Sequence, residues 1–351
     1  MSAWIRGQAV DVPAAVDAAA ASLSGARAPV IAGLAADVDA LRAAFALGAR
    51  LGASFDPVSA AHLYADLAVL AGAGTVTTTP SETIARADLV VAVGARAAAS
   101  SILDIVRSTE PTIGRARTRT VMLLREGGGP NSNERSFAVA PGEVAPALAL
   151  VRALATGRQR LDHPLAPLAE ALPKALYGVL LYDPGEIGEL AVEMLQGLAA
   201  ELNETTRVFT LPLADSWQGR ALLQVSAWTT GTAPRLGLGR GYPEHDPWRF
   251  DAGRQAREKE IDAVMWLASV DAPRPDWVAT VPSVALVRAP DGREGDVVFA
   301  VAAPGEDGDG VLWDERRGAL AFRRAQTAGA QPAAAAIVRA IDGAVAARRA
   351  A

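Results

Sequence analysis

His62, His163 and His245 are the only three histidines in a chain of 351 residues, and the chain has no cysteine. These two counts decide most of the side-chain chemistry that is open to it. Without thiolates the chain supplies no disulfide, no thiolate-held iron–sulfur cluster, and no sulfur nucleophile or metal ligand. His62 follows an Asp56-Pro57 turn in the run Ala60-Ala61-His62-Leu63-Tyr64-Ala65. No second histidine stands in register with it, and the sequence places no Asp or Glu to orient it. It therefore reads as a satisfied structural histidine, with a metal ligand or a general base as the alternative. His163 and His245 fall in proline-rich loops and read as surface residues.

Other motifs lead to plainer readings. Gly237-Leu238-Gly239-Arg240-Gly241 and Ala71-Gly72-Ala73-Gly74-Thr75 have phosphate-loop spacing, but neither lies between a strand and a helix, so both read as turns. The run 306–310, EDGDG, lacks the length and distal glutamate of a calcium loop. Arg115, Arg117 and Arg119 could grip an anionic tail such as a polyglutamyl cofactor; a solvated cluster ahead of a strand is the simpler reading.

The elements that would position these residues follow from periodicity. Half of the residues are hydrophobic, 21% are charged and the net charge is −5, so a large core is available and no nucleic-acid partner is implied. Lysine occurs only at Lys174 and Lys259. The length suggests two lobes. No signal peptide opens the sequence and no apolar run reaches spanning length, so a cytoplasmic protein away from membranes is expected.

Short buried strands alternate with helices: strands at 3–10, 29–34, 87–94 and 119–125, and helices at 11–25 with Asp11 as its N-cap, at 37–52, and after the Asp56-Pro57 turn through Leu70. After a proline-rich linker the alternation restarts with strands at 177–183 and 206–213 and a long helix between them. Later come strands near 263–268, 283–289 and 296–302, a hairpin at 310–324 turning at Arg317-Gly318, and a terminal helix. The expected class is α/β with two doubly wound, Rossmann-like lobes at 13–157 and 177–303, joined by a linker at 158–176. Segments 1–12 and 304–324 should pair as one small sheet, and 325–351 should form the C-terminal helix. The stretch 206–252 carries Trp217, Trp228 and Trp248 among glycines and prolines, with no period long enough for a long helix; it reads as an ordered, packed loop.

This stretch carries a family resemblance. SWQGRALLQVSAWTTGTAPRLGLGRGYPEHDP resembles the B subunit of formylmethanofuran dehydrogenase, of the molybdopterin and tungstopterin oxidoreductases, in its Gln224, Trp228 and Gly241-Tyr242-Pro243. WIRGQAV and PVIAGL, the Asp56 turn, ARADLVVAVG, IDAVMWLASVDA and GVLWDERRGALAFRR are similar to successive pieces of the same family. The resemblance implies two lobes of the formate dehydrogenase/DMSO reductase type without the iron–sulfur domain, the paired chain ends being its β remnant.

The departures matter for function. The family's cysteine-rich N-terminal segment has no counterpart, and its metal-ligating cysteine run corresponds to Ala60-Ala61-His62-Leu63-Tyr64-Ala65, although imidazole is no substitute for a soft thiolate. The family's pterin-holding Gly-Cys-Asn-Pro corresponds to Gly94-Ala95-Arg96-Ala97, and a second pterin loop to Leu124-Arg125-Glu126-Gly127-Gly128. No molybdenum or tungsten pterin and no iron–sulfur cluster are therefore expected on this chain.

The chain is thus most similar to the family's cofactor-free members, the B subunits of bacterial formyltransferase/hydrolase complexes. The resemblance implies a non-catalytic subunit with amidohydrolase-like, formyltransferase and further partners, in a complex that moves formyl from tetrahydromethanopterin to methanofuran and releases formate. A pterin-dependent redox subunit is the alternative. His62, Leu63, Tyr64 and Gly94 would mark the old cofactor site, and Trp217, Gln224, Trp228 and Tyr242 the loop closing it, with Tyr64, Trp217, Trp228 and Tyr242 large enough to fill the vacated space.

Overall fold

The structure is a computed structural model that describes residues 3–127 and 135–350. The glycine-rich loop expected between Glu126 and the following strand lies for the most part outside the described residues. The chain divides into two compact units: residues 1–60, 215–313 and 320–351 form one, and residues 61–214 and 314–319 the other. The two consecutive lobes expected at 13–157 and 177–303 are therefore not the division the chain makes. Pro29–Ala35 pairs in parallel with Ala263–Ala268, far along the sequence, whereas Leu89–Val93 pairs with Gly178–Tyr182. Apolar runs announce a buried parallel strand but carry no mark of its neighbour.

The first unit is built on a nine-stranded sheet whose order is Glu244–His245, Leu236–Gly237, Ser54–Pro57, Pro29–Ala35, Ala263–Ala268, Ser283–Val287, Val297–Ala300, Ala3–Ile5 and Gln8–Val10. Its five central strands run parallel, and both edges are finished by antiparallel strands. Strand Ser54–Pro57 lies where only a turn was expected. Helices Val12–Gly25 and Val38–Leu51 cover one face, and helix Ala334–Ala350 joins them, burying Ile337, Val338, Ile341 and Val345 in the same core. The first starts as its sequence predicts, with Asp11 accepting from the Ala14 amide at 2.7 Å, and the second is capped in the same way by Asp37, which accepts from the amides of Asp39 and Ala40.

The expected β remnant does not form. Ala3–Ile5 extends the main sheet by pairing with Val297–Ala300, and among the described residues the hairpin strands Gly310–Asp314 and Ala319–Arg323 pair only with each other. The edge of Val297–Ala300 already offers backbone donors and acceptors, so the N-terminal strand has a partner without the hairpin.

The second unit holds a five-stranded, all-parallel sheet in the order Arg135–Val139, Thr120–Glu126, Leu89–Val93, Gly178–Tyr182 and Val208–Pro212. Helices Val144–Ala155 and Pro184–Leu202 bury Leu148, Val151, Leu195 and Leu198 against one face. Helices Pro80–Arg86 and Ser101–Ser108 belong to this unit as well, and Ile102, Leu103 and Val106 fill the core of the opposite face. The stretch 158–176 links no lobes; its helix Ala166–Ala171 sits in this unit with Leu165, Leu168 and Leu172 in the core.

The stretch after Pro212 is also more regular than expected. Gly219–Thr230 is a helix of 12 residues, opened by Gln218 in the left-handed region and closed by Gly231 at φ 75°. Only 231–251 is largely irregular, and a buried ion network pins it. Asp56 is 8% exposed; it takes Arg235 Nε at 2.8 Å on one oxygen and the Ala252 amide at 2.9 Å on the other. Arg235 also reaches Asp251 at 2.9 Å and donates to the Pro247 carbonyl at 2.9 Å. Burial pushes the Asp56 carboxyl above its usual range, and Arg235 works against that shift. Removing one member of a buried pair strands the other, so Asp56→Ala is expected to cost about 3–5 kcal/mol in urea unfolding of the chain. A loss below about 1 kcal/mol, the range of an exposed ion pair, would show that the network does not hold the loop.

Candidate functional site

His62 is the third residue of helix Ala60–Ala73 and is 4% exposed. Its Nε2 lies 3.1 Å from the carbonyl of Leu213, which can only accept, so Nε2 bears a proton and donates it there. Its Nδ1 lies 3.5 Å from Asp183 Oδ1. No orienting carboxylate was expected for this histidine, and Asp183 corrects that expectation. Leu63 beside it is buried, and Tyr64 is half-buried.

Asp183 serves several groups at once. It caps helix Pro184–Leu202, accepting from the Glu186 amide at 2.9 Å, and it takes Arg96 Nη1 at 3.2 Å on its other oxygen. Burial works to raise its carboxyl, but the His62, Glu186-amide and Arg96 contacts outweigh burial and hold it below the ordinary value. Gly185 packs closely here, since a Cβ would stand 3.0 Å from His62 Nδ1 and the ring would have to give by a few tenths of an ångström. Glu315 completes the group. It accepts from the Ala214 amide at 3.2 Å, and its carboxyl is raised, chiefly by burial and further by the charge of Asp183.

Glu186 closes the neighbouring turn. Strand Leu89–Val93 ends at Gly94, whose φ of 94° opens a short helix, Ala95–Ala98. The two carboxylate oxygens of Glu186 accept from the Ala95 amide at 2.6 Å and the Arg96 amide at 2.9 Å. A Cβ on Gly94 would fall 2.6 Å from Glu186 Oε2, so the glycine makes room for this carboxylate. An anionic ligand approaching the turn would have to displace Glu186 before it met either amide.

Chemically, the cluster is closed. A general base needs a ring nitrogen within reach of a substrate proton, and both nitrogens of His62 already face protein oxygens in a buried setting. Among the described residues no hydroxyl or amine stands in hydrogen-bond contact with the ring as a nucleophile would. Among the described residues no three His, Asp or Glu side chains are grouped to hold a metal ion.

The loop residues belong to the other unit. Trp217 is half-buried and packs against the core of Val30, Ala32 and Trp266, and Gln224 is half-buried in helix Gly219–Thr230. Trp228 is 53% exposed, beside a groove of about 620 Å³ lined by Val38, Arg42, Phe45, Ala46 and Ala49. Tyr242 is 54% exposed. Trp228 and Tyr242 therefore do not fill an interior space, contrary to expectation; their helix and loop turn them outward.

The other candidates are mostly structural. Arg119 donates to the carbonyls of Ile84, Ala87, Val106 and Thr109, and burial lowers its pKa. Arg117 bonds the carbonyls of Gly114 and Ala116, and Arg115 borders a shallow hollow with Arg86 and Arg207. His163 and His245 make local backbone contacts, the first half-buried and the second exposed. Asp307 and Asp309 of the EDGDG run accept from the amides of Ala303 and Ala325, which commits them to holding the turn.

None of the protein-family models matches this chain. It is 47% identical over 339 residues to the B subunit of the formyltransferase/hydrolase complex Fhc of Methylorubrum extorquens, covering 95% of this chain and 94% of that protein. A polypeptide in the crystal structure of the formyltransferase/hydrolase complex FhcABCD from the same organism, in complex with methylofuran, superposes with a TM-score of 0.95 at 43% identity, over 99% of this chain and 100% of that one. At such identity over nearly the full length of both, the chain belongs to the family of formyltransferase/hydrolase complex B subunits.

Proposed function

We propose that the chain is a non-catalytic subunit of a formyltransferase/hydrolase complex, in which partner subunits transfer formyl from formyl-tetrahydromethanopterin to methanofuran and hydrolyse it to formate. The observation that carries this reading is the near full-length identity to the B subunit of such a complex. The amidohydrolase-like and formyltransferase subunits are the proposed partners, and the two α/β units are proposed to derive from the lobes of the pterin oxidoreductases. No helix among the described residues is long and apolar enough to cross a membrane.

The proposed absence of chemistry rests on the closed cluster. His62 has both ring nitrogens engaged, and Glu186 sits on the amides of the Gly94 turn, which corresponds to a pterin-holding loop by resemblance. The residues present do not fit an anionic cofactor there, because a resident carboxylate already satisfies the donors and would repel a second anion. We read His62, Asp183 and Glu186 as braces for a turn that once served a ligand.

A subunit without its own reaction keeps a role if it holds catalytic neighbours together, and exposed tryptophan beside an apolar groove is what an interface uses. Affinity purification of the tagged chain from its native host is expected to bring down the transferase and hydrolase subunits in fixed ratio; recovery of the chain alone would oppose the reading. Trp228→Ala is expected to weaken assembly by at least tenfold while the isolated chain keeps its melting temperature. Trp217→Ala, which opens the core, should lower that temperature instead. Either variant assembling normally yet losing turnover would place this region in an active site.

The Asp183 carboxyl yields a pH test. Its folded pKa is depressed, so the stability it contributes is fully present above its unfolded value of 3.8 and is lost as pH falls through the folded value. Asp183→Asn keeps an acceptor for the Glu186 amide but removes the charge. It should therefore destabilise the chain at pH 7, with the gap to wild type shrinking as the pH drops below about 4. Urea unfolding across that range checks this, and a gap that grows on acidification would contradict it.

A further inference from the structure

The glycine-rich run 237–241 lines a cleft that the proposed function leaves unused. Leu236–Gly237 pairs with Ser54–Pro57, and the Leu238 amide donates to the Ala53 carbonyl at 3.0 Å, which lays the run beside Gly52. Gly237 is fixed by the floor of the cleft, because a Cβ there would run into the Phe250 ring. The cleft has a volume of about 240 Å³, and its polar lining is Arg27, Ser54, Arg240, Glu244, Arg249 and Gln255. Every residue that lines it lies in the first unit.

Charge and hydrogen bonding in the cleft are both unbalanced. Three guanidinium groups border it, and Glu244 is the only carboxylate in the lining, 3.1 Å from Arg240 and 3.5 Å from Arg249. Asp262 lies outside the lining, 3.8 Å from Arg27 Nε, with its oxygens taken by the amides of Arg27 and Ala28 at 2.9 Å each. Gln255 is 8% exposed, and its buried Oε1 has no hydrogen-bond partner among the described residues. A buried polar atom without a partner is costly and calls for one.

We propose that this cleft binds a small organic carboxylate. The guanidinium fork matches a carboxylate in shape and charge, and the amide of Gln255 meets a polar group next to it. The volume suits a molecule of amino-acid size and falls below that of drug-sized or nucleotide pockets. The proposal uses only residues of this chain, so it stands or falls apart from the assembly reading.

The test is a calorimetric titration of N-acetyl-L-glutamate into the full chain, with its neutral diamide and inorganic phosphate as separate arms. Saturable binding of the acid, no binding of the diamide, and at least tenfold weaker binding in Arg249→Gln and in Gln255→Leu are expected. Arg249 is an exposed side chain, so its variant keeps the test decisive if Gln255→Leu fails to fold. No saturable binding, or equal binding by wild type and Arg249→Gln, would overturn the proposal. Binding of phosphate but not of the acid would overturn the carboxylate assignment. Repeating the titration on the assembled complex identifies the source: retained binding supports a free small acid as occupant, and binding lost only on assembly supports a carboxylate supplied by a partner.

Discussion

The contact between Asp183 and His62 is what the cluster beside the Gly94 turn depends on. Through it, the first turn of one helix, the capping residue of another and the start of the Arg96 segment converge on a single carboxylate. Such a group is stable only when every member is satisfied, because a half-satisfied buried network costs more than an apolar core. Asp183 meets this demand with hydrogen bonds on both oxygens, and His62 meets it by placing an oxygen at each ring nitrogen. On the proposed reading, the same contacts make the cluster a brace for the turn.

Glu186 extends the same logic to the Gly94 turn. A turn from strand into helix offers outward-pointing amides, and anions collect at such places. Here the anion is built into the chain, held by the helix that Asp183 caps. Gly94 has no side chain because the Glu186 carboxylate fills the space a Cβ would need, and Gly185 packs closely against the His62 ring.

Local chemistry was legible in the sequence, and long-range chemistry was not. Asp11 marked a helix start because an Asx side chain caps its own neighbourhood, and runs such as LVVAV and GVLLY marked strands because both faces are buried. Helix Gly219–Thr230 was missed because its buried residues, Ala221, Leu222, Val225 and Ser226, are few and are diluted by Arg220, Gln224 and the threonines. The pairing of His62 with Asp183 was invisible for another reason. The two lie in distant segments, and only the Asp183-Pro184 start with Glu186 in the first turn hinted that Asp183 had a structural task. The family resemblance named residues of this region but gave no account of which of them touch. It grouped Trp228 and Tyr242 with the interior, whereas the structure leaves both exposed.

The central proposal is that side chains of this subunit, Glu186 foremost, occupy the amides of the Gly94 turn, so that no pterin or metal cofactor is held there. The most direct measurement is elemental and pterin analysis of the natively purified complex, grown with molybdate, tungstate and iron supplied. The account predicts that no molybdenum, tungsten, iron or pterin accompanies this subunit. Tungsten or molybdenum in stoichiometric amount, together with an extractable pterin, would contradict it and return the chain to the redox enzymes.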